Sequence, residues 1–300
     1  MAQYSFSFSE ILTIDKIDQS KVANFEATDG LKLAYYSFKT LQPVATLIFI
    51  HGGGAHSGAG YQKLAIDLSR KYKIDVYLLD LRGHGQSEGA RGDTPTKEQL
   101  FKDIKSFSEG MKQEGVPLYL GGHSSGGGLL VNYFSYYPET IFDGYIFVSP
   151  EFGYKSNTAK NDIQAPFAKI NTKIFVVNAM SRGAFLGNKS AVSFNYPEEI
   201  LNADPLLLKS ISCNMALALT PSEPQTQFAN LDKPFALFVG DKDELFDPVK
   251  LLTYSELPKG NPAYLPISHI IKNENHLSIL LKAGDLIGET IQKWIFAVEK

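Results

Sequence analysis

The chain of 300 residues has one cysteine, Cys213, so no internal disulfide can form and a Cys-rich zinc site is excluded. It lacks charge of one sign: 29 Lys and Arg stand against 32 Asp and Glu, a net charge of −3, and no basic block breaks the pattern. Nothing therefore points to nucleic acid as a partner. It also lacks any run of about eighteen apolar residues, so no transmembrane helix is expected. Residues 1–20 read MAQYSFSFSEILTIDKIDQS, without a basic start and a long apolar stretch, and are not expected to be a secretory leader. The expected address is the cytoplasm, where a lone thiol stays reduced. Repeats and low-complexity linkers are missing as well.

What is present is ordinary for a globular enzyme, 44% hydrophobic and 20% charged residues. Short apolar runs alternate with segments of helical spacing. Residues 22–38 read as two strands around the turn dipeptide Asp29-Gly30. Strands are expected at 45–50, 75–79, 117–120 and 144–148, with helices at 61–72, 97–114 and 125–137. Such alternation implies a mostly parallel sheet with helices on both faces. The rhythm lapses over 151–231, where Asp204-Pro205 reads as a helix start. It returns at 235–239, with a strand ending near Ile270 and a helix over 277–298. An insertion between two halves of one sheet reads as a cap over a site.

Gly122-His123-Ser124-Ser125-Gly126 fits G-x-S-x-G, placed after a strand and before a helix. On that sharp turn a serine hydroxyl is exposed as a nucleophile, and only small neighbours fit. The helix start behind it favours developing negative charge. After the 45–50 strand comes His51-Gly52-Gly53-Gly54. Acyl transfer needs preset donors for an oxyanion, and the backbone N–H groups of Gly53 and Ser125 are the expected pair. A serine needs a base. With this elbow the acid and then the histidine follow the serine along the chain, which leaves His269 and His276 of the six histidines. His276 is preferred because it lies in a polar loop before the last helix; His269 reads as a core or strand-end residue. Asp243 is preferred as the acid over Asp241 and Asp247, which read as loop-fixing residues.

These residues together resemble the monoacylglycerol lipase and lysophospholipase branch of the α/β-hydrolase superfamily. The resemblance also rests on Thr28-Asp29-Gly30, on His51 through Gly58 in the glycine-rich loop, and on Arg82-Gly83-His84-Gly85-Gln86-Ser87-Glu88-Gly89, so it runs along most of the chain. It implies an α/β-hydrolase core of residues 1–150 and 232–300 with a cap (lid) over 151–231. It implies a triad of Ser124, Asp243 and His276 with oxyanion donors Gly53 and Ser125. The family often has alanine or methionine at the position of Gly53, a change that keeps the backbone donor. A glutamate commonly follows the histidine, where this chain has Leu277.

The expected reaction is ester hydrolysis through an acyl-enzyme, without metal or organic cofactor, on a small-molecule ester or lipid such as a monoacylglycerol or lysophospholipid. Small-ester carboxylesterase, lactonase, thioesterase and peptidase chemistry would use the same machinery, whereas a non-catalytic binding module would not react at Ser124. Serine at the elbow argues against dehalogenases and epoxide hydrolases, which resemble this chain but carry aspartate there. Residues 174–177, 206–208 and 215–219 have two readings: an acyl tunnel with transient membrane-surface contact, or the cap's own core. Arg82 and His84 read as structural, His123 as packing and Cys213 as a buried, inert thiol. His56 sits either near the pocket or at a helix cap.

Overall fold

The computed structural model describes residues 6–8, 21–160, 166–258 and 266–298. Most of the 1–20 stretch discussed above lies outside the described residues. The chain begins with β1 (Ala23–Glu26), β2 (Lys32–Phe38) and β3 (Ala45–Ile50), then α1 (Gln62–Tyr72), β4 (Ile74–Leu79), α2 (Lys97–Met111), β5 (Leu118–His123), α3 (Ser125–Tyr136) and β6 (Gly144–Val148). Next come β7 (Ala168–Ile170), α4 (Thr172–Met180), β8 (Ser190–Phe194), α5 (Glu198–Ala203), β9 (Ser210–Ser212), α6 (Cys213–Leu219) and α7 (Pro224–Ala229). The chain then returns through β10 (Phe235–Gly240), α8 (Pro248–Leu252), β11 (Ile267–Ile271) and α9 (Leu280–Val298).

The main sheet has strand order β1-β2-β4-β3-β5-β6-β10-β11. The pairs β1/β2 and β2/β4 are antiparallel, and every later pair is parallel. The mostly parallel sheet expected from the alternation is present. Along β3, Leu47 and Phe49 pack with α1 and α9, while Ile48 and Ile50 pack with α2 and α3. That period of two lets an unbroken apolar run serve two faces. All the parallel strands present their carboxyl ends to one edge, which is where open α/β sheets hold ligands.

Helix limits follow local chemistry. Thr96 caps α2, its hydroxyl accepting from Gln99 N–H. The last helix begins at Leu280 rather than 277, because the Asn275 side chain accepts from the N–H groups of Leu277 and Ser278 and holds a turn there. Asp204-Pro205 ends a helix instead of starting one. The helix α5 runs from Glu198 to Ala203, and the Asp204 carboxylate is taken by Leu206 N–H and by His56. Pro205 cannot continue the helix.

Among the described residues between β6 and β10 lie a three-stranded antiparallel sheet of β7, β8 and β9 and four short α-helices. Among the described residues, their buried side chains form no separate core. Leu208, Ile211, Met215, Ala218, Leu219 and Phe228 belong to one cluster with Ile48, Leu120 and Phe147 of the main sheet. The three apolar runs therefore have different fates. Residues 215–219 are mostly core, Leu207 faces the cavity described below, and Val176 and Val177 are exposed. Cys213 is fully buried, and burial raises its thiol above the usual value.

Candidate active site

Ser124 stands at the end of β5 with φ 55° and ψ −124°, a conformation that non-glycine residues rarely adopt. The two motif glycines permit it. A Cβ on Gly122 would lie 2.5 Å from the Gly126 carbonyl carbon, and one on Gly126 would lie 2.6 Å from the Ile50 carbonyl oxygen. The Ser124 N–H donates to the Val148 carbonyl (3.0 Å), and its carbonyl accepts from the N–H groups of Gly127 and Glu151 (2.9 Å each). Backbone bonds from three elements thus hold the strain.

The loop after β3 packs directly on the elbow. A Cβ on Gly52 would lie 3.2 Å from Ser124 Cβ, and one on Gly53 2.8 Å from Ser125 Oγ. Gly53 and Ser125 are therefore side by side. Two buried histidines fix this loop. His51 donates through Nδ1 to the Gly52 carbonyl (2.8 Å), and Nε2 accepts from Leu81 N–H (3.2 Å). Burial holds its imidazole down at about 4. His123 is more than packing. The Tyr61 hydroxyl accepts from Gly52 N–H and donates to His123 Nδ1, each at 2.9 Å, and His123 Nε2–H donates to the His276 carbonyl (2.9 Å). Burial, with His276 alongside, holds His123 down at about 3, so it is neutral. One chain of bonds thus ties the loop of Gly53 to the loop of His276.

Asp243 follows β10 and is fully buried. Its Oδ1 accepts from Leu245 and Phe246 N–H (2.9 Å each), and its Oδ2 faces His276 Nδ1 at 2.9 Å. Burial opposes ionisation, but the positive charge and hydrogen bond of His276 and the two N–H groups outweigh it and hold the carboxyl below its usual range. Asp241 and Asp247 lie elsewhere in the loop. Asp241 accepts from Asn273 N–H, and Asp247 caps α8. His269 is exposed on the edge strand β11 rather than in a core.

Ser124 and His276 line one cavity with Gly52, Gly53, Ala55, Tyr61, Phe167, Tyr196, Ile200, Leu207 and Leu277, among others. No Lys or Arg is among its described lining residues, and its Asp204 carboxylate accepts from His56 Nε2–H at 2.8 Å. His56 thereby joins the glycine-rich loop to the insertion; its Nδ1 accepts from Gly58 N–H. Arg82 lies outside the cavity. It pairs with Asp103 through two nitrogens (2.5 and 2.7 Å) and with Asp29 of the hairpin turn (3.0 Å). His84 Nδ1 bonds the Arg82 carbonyl, and burial lowers its imidazole well below the usual value.

Three features escaped the sequence reading. Glu244 accepts from His276 N–H through Oε2 (3.0 Å). Glu151, beside the elbow, has its carboxyl pushed up to about 7 by burial, with His276 opposing. Phe6 and Phe8 line the cavity. No motif marks any of them, because each acts through a neighbour that is distant in sequence.

The family described as Hydrolase_4, serine aminopeptidase S33, matches residues 41–258. The human monoglyceride lipase is 29% identical over 248 residues, covering 80% of this chain and 78% of that protein. The rat monoglyceride lipase is 30% identical over 226 residues, covering 73% and 72%. Among solved structures, the monoacylglycerol lipase of Paleococcus ferrophilus has a TM-score of 0.65 at 24% identity, covering 88% of this chain and 98% of that one.

Proposed function

This chain belongs to the Hydrolase_4 family (serine aminopeptidase S33) and is an ester hydrolase, and from that premise we propose that Ser124, His276 and Asp243 cleave a neutral lipid ester of the monoacylglycerol type. The observation that carries the reading is the cavity. It brings the serine and the Asp243-linked histidine to one apolar space, and no Lys or Arg is among its described lining residues. A phosphate head group would find no counter-charge among those residues, so a neutral ester fits better than a lysophospholipid.

Ser124 Oγ attacks the ester carbonyl as His276 Nε2 takes its proton. Asp243 holds Nδ1–H and stabilises the imidazolium. The N–H groups of Gly53 and Ser125 receive the oxyanion. The C–O bond to the alcohol then breaks, and the alcohol leaves with the proton from His276. Water, deprotonated by His276, attacks the acyl-enzyme, and the fatty acid departs as Ser124 recovers its proton.

Residues 151–231 act as a cap that meets lipid surfaces transiently. Supporting this, Asn178 is the buried residue of α4 and bonds the Phe185 carbonyl, while Met180 of the helix is 82% and Phe185, beyond it, 67% exposed. Lys169, Lys173 and Arg182, near them in the sequence, are also exposed. Exposed apolar side chains with cations close in sequence suit a lipid headgroup surface. No described helix is long and apolar enough to cross a membrane, and the address we propose is the cytoplasm.

The test is hydrolysis of p-nitrophenyl esters from acetate to palmitate, 1-monooleoylglycerol, a lysophospholipid and an aminoacyl p-nitroanilide. Turnover of monooleoylglycerol above the lysophospholipid, lost by about 10⁴-fold or more in Ser124→Ala, is expected. Turnover confined to acetate and butyrate would overturn the lipid assignment, and preferential anilide cleavage would make the chain a peptidase.

A further inference from the structure

We propose that Phe6 and Phe8 form a wall of the substrate cavity that grips the hydrocarbon part of the ester, and that Glu244 is the positioning residue that keeps this wall in register with the loop of His276. The inference rests on the serine-hydrolase reading of Ser124.

Phe6-Ser7-Phe8 lies more than two hundred residues from Glu244 in the chain, yet the Glu244 carboxylate joins it to the histidine loop. Ser7 N–H donates to Oε1 (3.1 Å), and His276 N–H donates to Oε2 (3.0 Å). Glu244 is buried, so each of its oxygens needs a donor, and each has one. The carboxylate is long enough to satisfy two backbone donors on separate segments at once. That sets the height of the N-terminal segment against the base.

The rings follow from that anchor. Phe6 stacks on Phe167 with centroids 4.6 Å apart and planes 17° apart, and it leans over the His276 imidazole at 5.7 Å. Phe8 meets Phe6 edge to face at 4.9 Å and Tyr196 at 5.6 Å. Phe167 continues to Phe194, whose ring closes on the oxyanion loop: a Cβ on Gly54 would lie 2.6 Å from it. An aromatic wall therefore runs from the base, across the insertion, to the loop of Gly53. Phe6, Phe8, Phe167 and Tyr196 all face the cavity. Flat, stiff rings give a hydrocarbon chain broad contact at little rotamer entropy.

Ordering backbone costs conformational entropy, and the bond from Ser7 N–H to Glu244 helps offset that cost for the segment that carries the two rings. The wall should therefore depend on Glu244 as much as on its own rings. Ethyl and decyl fluorophosphonate probes, which label the nucleophilic serine directly, read this out. The variants are Phe6→Ala, Glu244→Ala, Glu244→Gln and the double Phe6→Ala/Glu244→Ala, each checked for unchanged thermal unfolding. In Phe6→Ala the decyl-to-ethyl ratio of labelling rates is expected to fall roughly tenfold, the scale of one large apolar contact. Glu244→Ala should lower the ratio by a similar factor, and the double variant should fall no further. Glu244→Gln keeps one acceptor and turns the other into a donor, so it should give an intermediate ratio even if the alanine variant unfolds. An unchanged ratio in Phe6→Ala overturns the wall. Additive losses in the double variant overturn the link through Glu244. Wild type that labels with neither probe removes the serine-hydrolase reading and this inference with it, an outcome distinct from wild type that labels with an unaltered ratio.

Discussion

Replacing Asp243 by Asn isolates the role of the charge, because the geometry dictates how the amide must sit. Asp243 Oδ1 accepts from two backbone N–H groups, those of Leu245 and Phe246, while Oδ2 faces His276 Nδ1. An asparagine keeps both backbone bonds only if its carbonyl oxygen takes the place of Oδ1. Its NH₂ then points at Nδ1, which must become an acceptor, and the imidazole proton moves to Nε2. A histidine protonated there cannot take the serine proton. The flipped amide would set its NH₂ against two donors in a fully buried site, at about 1–3 kcal/mol for each group left unpaired. The preference is therefore for the wrong tautomer. The expected loss in kcat is about 10⁴-fold, or about 5.5 kcal/mol of transition-state stabilisation. Stability should change by only about 1 kcal/mol, since one bond of three changes character. The assay is kcat for p-nitrophenyl butyrate in wild type, Asp243→Asn and Ser124→Ala, with urea unfolding of each. A kcat within tenfold of wild type in Asp243→Asn would refute the reasoning. So would a loss of activity that simply tracks a loss of fold.

Acid should destabilise the protein through its buried imidazoles. His51 and His123 are held at about 4 and about 3, whereas an unfolded histidine titrates near 6.5. Their stabilising effect is fully present above about 6.5. Below that the unfolded chain binds more protons, so stability falls with pH by up to about 1.4 kcal/mol per unit for each histidine. Glu151, held up at about 7, works in the opposite sense below pH 7, so Glu151→Gln isolates the histidines: urea midpoints of that variant that stay level from pH 7.5 to 5 would show that the rings are not buried neutral. Arg82→Lys should destabilise by about 2–4 kcal/mol, because a single ammonium cannot reproduce the two bonds to buried Asp103. The ratio of activities on long and short esters should hold in the folded fraction; a shift in that ratio would mean that Arg82 acts on the cavity.

Much of the sheet was readable because parallel strands buried on both faces must be continuously apolar, and the helices between them must be amphipathic. The reading failed where one residue had competing uses. Asp204-Pro205 has the form of a helix start, yet the Asp204 carboxylate serves His56, 148 residues away, and the helix lies before it. Residues 215–219 read as the cap's own core before tunnel lining, and hydropathy cannot separate the two, because both are apolar. Packing against α3 and α2 made α6 part of the main core.

The elbow and the glycine-rich loop are determined by the sequence alone, since their spacing relative to strand ends is a local constraint; the order proposed for serine, acid and base comes with the elbow's class. Gly122 and Gly126 belong to the same class: backbone passes so close to them that no other residue fits. Which aspartate serves the histidine, by contrast, depends on where the loop after β10 turns, and only the fold shows Asp243 at 2.9 Å from Nδ1. Tyr61, His123, Glu244 and the two phenylalanines near the start of the chain gain their roles the same way. Each is an unremarkable residue locally. The contacts that give it meaning span up to 237 residues, and that proximity is created by sheet order and core packing, not by any pattern along the chain.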